Sequence, residues 1–276
     1  MKMNKKRKII GIITAAVFAL IIFVYPPYVR IMGHWYPTNI EKIEIDCYSK
    51  NAHDIVRIKK LKKLKELEIT SYSGNDLSSS ISELSNLERL RLNFCETELS
   101  CDFEHLDRLN TIELLESKCS FSSKMCDSIK ELYFSSYCTL TSVEGLKGCN
   151  CTELFLDSPD GVTADELNEL INTLPKIEFL RSDIAYLKSK PLECKSLKRV
   201  WIWDHVNETK EPFDLERFAN CSSIEELKLI NVIISDYSPL CEMKNLKTLK
   251  VYSEQITEED IRMLEDAGIE VEVDTK

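Results

Sequence analysis

Eleven cysteines and four histidines among 276 residues are the side chains best suited to chemistry, as nucleophiles, redox pairs or metal ligands. Their spacing argues against each role in turn. Redox catalysis by a thiol pair calls for Cys-x-x-Cys, and that spacing is absent. Cys149-Asn-Cys151 is a single close pair, whereas zinc would want a second pair or a His-x-x-x-His partner near it. His34, His53, His105 and His205 are scattered, with no His-Glu-x-x-His. A Gly-x-Ser-x-Gly elbow and a phosphate-cradling glycine loop are both missing. The abundant Asp and Glu mostly occupy solvated positions in a repeating pattern. No catalytic residue, metal site or cofactor is expected, and the chain does not read as an enzyme.

Charge is distributed unevenly. Lys2, Lys5, Lys6, Arg7 and Lys8 face no acid within the first eight residues, so the net charge of −10 leaves fifteen net negative charges on the rest. An acidic body repels phosphate backbones, which excludes nucleic acid as a partner. Residues 9–25 then form an apolar run broken only by Thr14. As a helix they would reach about 25 Å, the lower limit for a hydrocarbon core of ~30 Å. Snorkelling lysines on one side and Tyr25 and Tyr28 on the other make up the difference, and Pro26-Pro27 stops the helix. The expected topology is a single-pass anchor in the cell membrane, with residues 1–8 cytoplasmic, a juxtamembrane collar over 26–39, and the remainder extracytoplasmic. A cleaved signal over residues 1–33 would instead release a secreted body. The length of the apolar run and the lack of a small-x-small cleavage site favour the anchor.

The remaining chain is organised by a repeat. Ile40-Glu-Lys-Ile43-Glu-Ile45 is followed by Leu64-Lys-Glu-Leu67-Glu-Ile69 and Leu87-Glu-Arg-Leu90-Arg-Leu92. The pattern recurs through Leu174-Pro-Lys-Ile177-Glu-Phe179, Leu197-Lys-Arg-Val200-Trp-Ile202 and Leu246-Lys-Thr-Leu249-Lys-Val251, and closes at Ile269-Glu-Val271-Glu-Val273. Successive starts lie 20 to 27 residues apart, the period and motif of leucine-rich repeats. Each short segment alternates like a strand with one buried face that its own coil cannot cover. Stacking buries those faces against one another and aligns the strands in parallel. The expected fold is an α/β solenoid of about eleven strands over residues 40–276, with a parallel sheet on the concave side and short helices or irregular turns on the convex side. One N-terminal transmembrane helix precedes it. Helices are expected over 52–64, 163–174 and 258–267, with a C-terminal cap over 256–276.

The stretch Leu227-Lys-Leu229-Ile-Asn231-Val-Ile-Ile234-Ser-Asp-Tyr-Ser-Pro-Leu240, continued by Met243-Lys-Asn-Leu246-Lys-Thr-Leu249, resembles bacterial leucine-rich-repeat surface proteins of the internalin-like group. The resemblance spans about residues 40–273. It implies that Cys95 takes the place of the buried Asn or Cys after the strand, a place where other coils here would put Tyr48, Tyr72, Tyr137, Pro159 or His205. It speaks for architecture and names no ligand.

Repeat phase also sorts the cysteines. Cys126, Cys194 and Cys221 each lie six residues before a strand position, with Cys149 and Cys151 nearby in their coil, where small apolar thiols pack the convex interior. Cys119 and Cys138 follow the strand by seven and six residues in adjacent coils, so a disulfide between them is the best candidate pairing. On the concave face the outward positions are expected to be Glu44, Glu68, Arg91, Glu113, Tyr133, Phe155, Glu178, Trp201, Lys228, Lys250 and Glu270, with Trp203, Ile230 and Tyr252 two positions on. Tyr133, Phe155, Trp201, Trp203, Ile230 and Tyr252, set among Asp157, Glu178 and Asp204, form the candidate partner-binding patch, because aromatic anchors in a polar surround are typical of interface hot spots. A protein or peptide is the expected partner, with a carbohydrate or cell-wall glycan as the alternative.

Overall fold

The computed structural model describes residues 27–48, 52–74, 77–99, 103–121, 123–157, 159–188, 190–204, 211–252 and 255–274. Among these, no helix is long and apolar enough to cross a membrane. The expected anchor over 9–25 lies outside the described residues, as does His205.

Eleven strands stack in sequence order into one sheet. They are β3 (Lys42–Asp46), β4 (Glu66–Thr70), β5 (Arg89–Asn93), β7 (Thr111–Leu115), β9 (Glu131–Phe134), β11 (Glu153–Leu156), β12 (Phe179–Asp183), β13 (Arg199–Trp203), β14 (Glu226–Ile230), β15 (Thr248–Tyr252) and β16 (Glu270–Asp274). All pairings in the sheet are parallel. Ahead of it, β1 (Tyr28–Ile31) and β2 (His34–Pro37) form an antiparallel hairpin where the collar was expected. Register aligns Ile43, Leu67, Leu90, Ile112, Leu132, Leu154, Leu180, Val200, Leu227, Leu249 and Val271 in one row. Every member of that row from Leu67 to Leu249 is at most 1% exposed, each contributing roughly 1.5–3 kcal/mol of hydrophobic stabilisation.

Two coils differ in register from the sequence expectation. Residues 174–179 were expected to supply a strand, yet β12 begins at Phe179 and Leu180 takes the core position. The inward place after Leu180 is held by Ser182, fully buried, whose hydroxyl donates to the Asp183 carbonyl at 3.0 Å. A serine there breaks the apolar alternation and hides the strand. In the last coil Glu272, rather than Glu270, pairs with Lys250.

After the strand the chain turns through a left-handed residue, at Ser71, Phe94, Glu116, Tyr137 and Asn231, and the next side chain points inward. Those inward residues are Tyr72, Cys95, Ser117, Cys138 and Val232, all buried. Three of them donate to a strand carbonyl of the preceding coil: Cys95 Sγ to Ile69 O at 3.3 Å, Ser117 Oγ to Leu92 O at 3.2 Å, and Cys138 Sγ to Leu114 O at 2.9 Å. This ladder corrects two expectations. Tyr137 is 74% exposed and Tyr48 is 87% exposed, because the inward slot beside Tyr137 belongs to Cys138. Cys119 and Cys138 are free thiols: Cys119 sits opposite Leu140, while Cys138 is committed to the Leu114 carbonyl.

Thiols perform the same task on the convex side. Cys126, Cys194 and Cys221 donate to Leu109 O, Ile171 O and Leu192 O at 3.7, 3.3 and 3.5 Å. Burial pushes Cys194 up to about 12 and Cys221 up to about 11, so both remain protonated donors rather than nucleophiles. Further along the coils, β6 (Glu96–Glu98), β8 (Lys118–Ser120) and β10 (Thr139–Ser142) form a second, three-stranded parallel sheet where only turns or helices were expected. Thr97, Cys119 and Leu140 alternate inward from it.

The expected helix over 52–64 is a 3-10 helix, Ala52–Lys60. Ile55, Ile58, Leu61 and Leu64 are fully buried, and their spacing of three matches the 3-10 repeat rather than 3.6. By contrast α2 (Ala164–Thr173), which follows the short α1 (Leu77–Ile81), starts with a capping box between Thr163 and Glu166. A second box, between Thr257 and Asp260, opens α3 (Glu258–Asp266), and Gly268 at φ 87° lets the chain leave for β16.

Ser117 also accepts from the Cys95 amide at 3.0 Å. Ser117→Ala should therefore leave that buried amide unpaired and cost about 2 kcal/mol in urea unfolding, with Ser117→Cys costing less. A Ser117→Ala midpoint indistinguishable from that of the unsubstituted chain would remove the ladder's energetic role.

Candidate functional site

The outward side chains of the eleven-stranded sheet make three columns. Register sets the middle one as Glu44, Glu68, Arg91, Glu113, Tyr133, Phe155, Arg181, Trp201, Lys228, Lys250 and Glu272. Its N-terminal part is a charge lattice. Arg91 reaches Glu113 on one side and Glu68 on the other, and Arg89 joins Glu113 at 3.4 Å. Glu113 is 9% exposed, so this stretch is largely satisfied by its own pairs.

Aromatic rings take over at Tyr133. Tyr133 to Phe155 is 5.6 Å between centroids, and Phe155 to Phe179 and Phe179 to Trp201 are each 5.2 Å, the last two edge to face. These are the geometries a ring quadrupole favours. Phe179 is 4% exposed although it lies on the concave side, outside the main core. It is the centre of the ladder and was missed in the sequence, where the shifted register assigned it to the interior. Tyr133, Phe155, Trp201, Trp203, Ile230 and Tyr252 are half-buried, so each keeps part of its surface in water.

Cations cover the ring faces. The Arg199 guanidinium lies 4.6 Å from the Phe179 centroid, Arg181 4.8 Å from Trp203, and the Lys228 amine 5.4 Å from Trp201. Asp157 links Tyr133 to the cation that covers Trp203. Its carboxylate accepts from the Tyr133 hydroxyl at 3.0 Å and pairs with Arg181 Nε at 3.2 Å. Burial, and then the Asp157 charge, raise the Tyr133 phenol above its ordinary value, which keeps it a donor. Trp201 Nε1 donates to Glu226 at 3.1 Å. Among the described residues, no group of three or more His, Cys, Asp or Glu is placed to hold a metal ion.

The structure brings several of the residues singled out in the sequence together. Tyr133, Phe155, Asp157, Trp201 and Trp203 share one contact network, and Ile230 follows Trp203 in the same column, with Tyr252 on the next strand. Asp204 lies just beyond Trp203, buried, its amide bonded to Ile230 O at 3.0 Å. Glu178 does not join them. It precedes β12 at the entry rim, where its carboxylate pairs with Lys198 at 3.1 Å, and Arg181 holds the outward place assigned to it.

No family model matches the chain, and no curated protein matches it. Solved leucine-rich-repeat structures do. Internalin C2 from Listeria monocytogenes is similar at 19% identity over 88% of this chain and 80% of its own, with a TM-score of 0.34. A leucine-rich-repeat protein of Leptospira interrogans shares 12% identity over 85% of this chain and 90% of its own, with a TM-score of 0.37. The leucine-rich-repeat domain of the type III effector XopL shares 11% over 84% and 75%, at 0.34. The solenoid itself is carried by the strand register of this chain.

Phe179→Ala should collapse the ladder from its centre, costing about 3 kcal/mol on unfolding and shifting tryptophan emission to the red as Trp201 gains water. An unshifted spectrum with unchanged stability would show that Phe179 organises nothing.

Proposed function

We propose that this chain is a membrane-tethered, extracytoplasmic leucine-rich-repeat module that captures a protein or peptide on its concave face. The observation that carries this reading is the interlocked row Tyr133–Phe155–Phe179–Trp201, whose outer members keep water-accessible surface while being held by edge-to-face packing. Rings fixed before the ligand arrives lose little freedom on binding, so more of the contact energy is retained. Guanidinium groups of Arg181 and Arg199 stand beside them and offer planar hydrogen-bonding forks for carbonyls and carboxylates of a polypeptide. Tethering rests on the apolar run 9–25 with its basic N-terminal flank.

Carbohydrate recognition is the second reading, since aromatic faces stack on sugar rings. The faces of Phe179, Trp201 and Trp203 are each approached by a cation, which disfavours flat stacking and favours a polypeptide that exchanges salt bridges with the same cations.

Capture of ligands from the surroundings of the intact membrane protein, run alongside a glycan array, tests both readings. Trp201→Ala and Trp203→Ala should each weaken the captured interaction by about tenfold or more, equivalent to at least ~1.4 kcal/mol. Undiminished capture by both variants would exclude the patch, and a glycan signal abolished by them would favour the second reading.

A further inference from the structure

The hairpin of β1 and β2 has two unlike faces. Val29 and Ile31, at 5% and 0% exposure, enter the core shared with the first coil, and the Arg57 guanidinium of the 3-10 helix Ala52–Lys60 donates to Arg30 O at 3.2 Å. Cross-strand partners share a face, so Tyr28 with Pro37 and Arg30 with Trp35 form the opposite one. There Trp35 is 65% and Tyr28 54% exposed, and Arg30 is exposed as well. Tyr36, beside Val29, turns inward and is half-buried, so it does not share a face with Trp35. An exposed Trp, Tyr and Arg are thus gathered on one side of a four-residue ribbon.

The sequence just before the hairpin offers a candidate cover for this face. The apolar run ends at Tyr25, three residues before β1 begins, so a membrane-inserted run would deliver the hairpin directly at the bilayer surface. Tryptophan and tyrosine settle at the headgroup level, where an amphipathic ring meets both phases, and a guanidinium pairs with lipid phosphate. We propose that the outer hairpin face, Tyr28, Arg30 and Trp35, rests in the phospholipid headgroup layer and seats the N-terminal end of the solenoid on the membrane. This inference depends on residues 9–25 being an anchor. It also sets the height of the binding patch. Seven strand steps separate β3 from β13, which at about 4.8 Å each places Trp201 and Trp203 roughly 30 Å further along the stack.

The chain has three tryptophans, which makes the seating measurable in the full-length protein. Vesicles of phosphatidylcholine and phosphatidylglycerol, with and without bromine on the upper acyl carbons, would be compared for Trp35→Phe and for the double variant Trp201→Phe/Trp203→Phe, after flotation. Trp35 alone should lose about half its emission to the brominated lipid, whereas the concave pair should lose none. Subtracting the Trp35→Phe signal from that of the unsubstituted protein gives the Trp35 quench a second time, without the double variant. Failure to float with the vesicles would overturn the anchor and the seating together. Co-flotation with an unquenched Trp35 would overturn the seating alone and leave the anchor standing.

Discussion

The backbone link between neighbouring coils is the constraint on which the structure depends. At the strand entry one carbonyl of each coil receives two amides of the next: Glu41 O takes Lys65 N and Glu66 N, Lys65 O takes Glu88 N and Arg89 N, and the pattern runs on to Glu225 O with Lys247 N and Thr248 N. A single coil has neither a partner for these groups nor a cover for its inward leucines, so it has no stable form alone. The stack also explains the cysteine content. A thiol is small enough for the tight turns, apolar enough for the interior, and still able to donate weakly to a carbonyl of the coil below. Cys95, Cys138, Cys194 and Cys221 all use that combination.

Because register is set by the interior, the concave face inherits its order from it. Side chains that are distant in sequence become neighbours at strand spacing, and a surface of any chemistry can be written on the outward positions without disturbing the core. Here two chemistries adjoin. The first coils present charges that neutralise one another, from Lys42 with Glu66 to Arg91 with Glu113. The later coils present rings clamped by guanidinium groups. Charges that pair within the sheet contribute little to its stability, and the rings of β9 through β15 are the part of this face on which the proposed binding rests.

Most of the architecture was legible in the sequence because a strict period-two alternation repeated every twenty-odd residues admits few folds. The helices expected over 163–174 and 258–267 are likewise present, and capping boxes of Thr163 with Glu166 and Thr257 with Asp260 start them. What escaped detection escaped for local reasons. Ser182 occupies an inward site and satisfies its hydroxyl on the Asp183 carbonyl, so the coil around it lacks its second apolar mark, and the nearby Ile177 and Phe179 supplied a false one. That single shift concealed Phe179 and Arg181 and promoted Glu178. Repeat phase places Cys119 and Cys138 in adjacent coils, whereas the left-handed turn at Tyr137 directs the Cys138 side chain inward to the Leu114 carbonyl. The 3-10 form of Ala52–Lys60 was visible after the fact in its three-residue spacing.

Hydrogen exchange resolved to single amides tests the stacked register most directly. The entry amides Lys65, Glu88, Asn110, Lys130, Thr152, Glu178, Lys198, Glu225 and Lys247 each bond to the preceding coil. They should exchange slowly as a set, slowest in the middle coils and faster toward both ends, as expected for a quasi-one-dimensional stack that frays from its termini. Exchange of Thr152 and Glu178 at the rate of exposed loop amides would contradict the account.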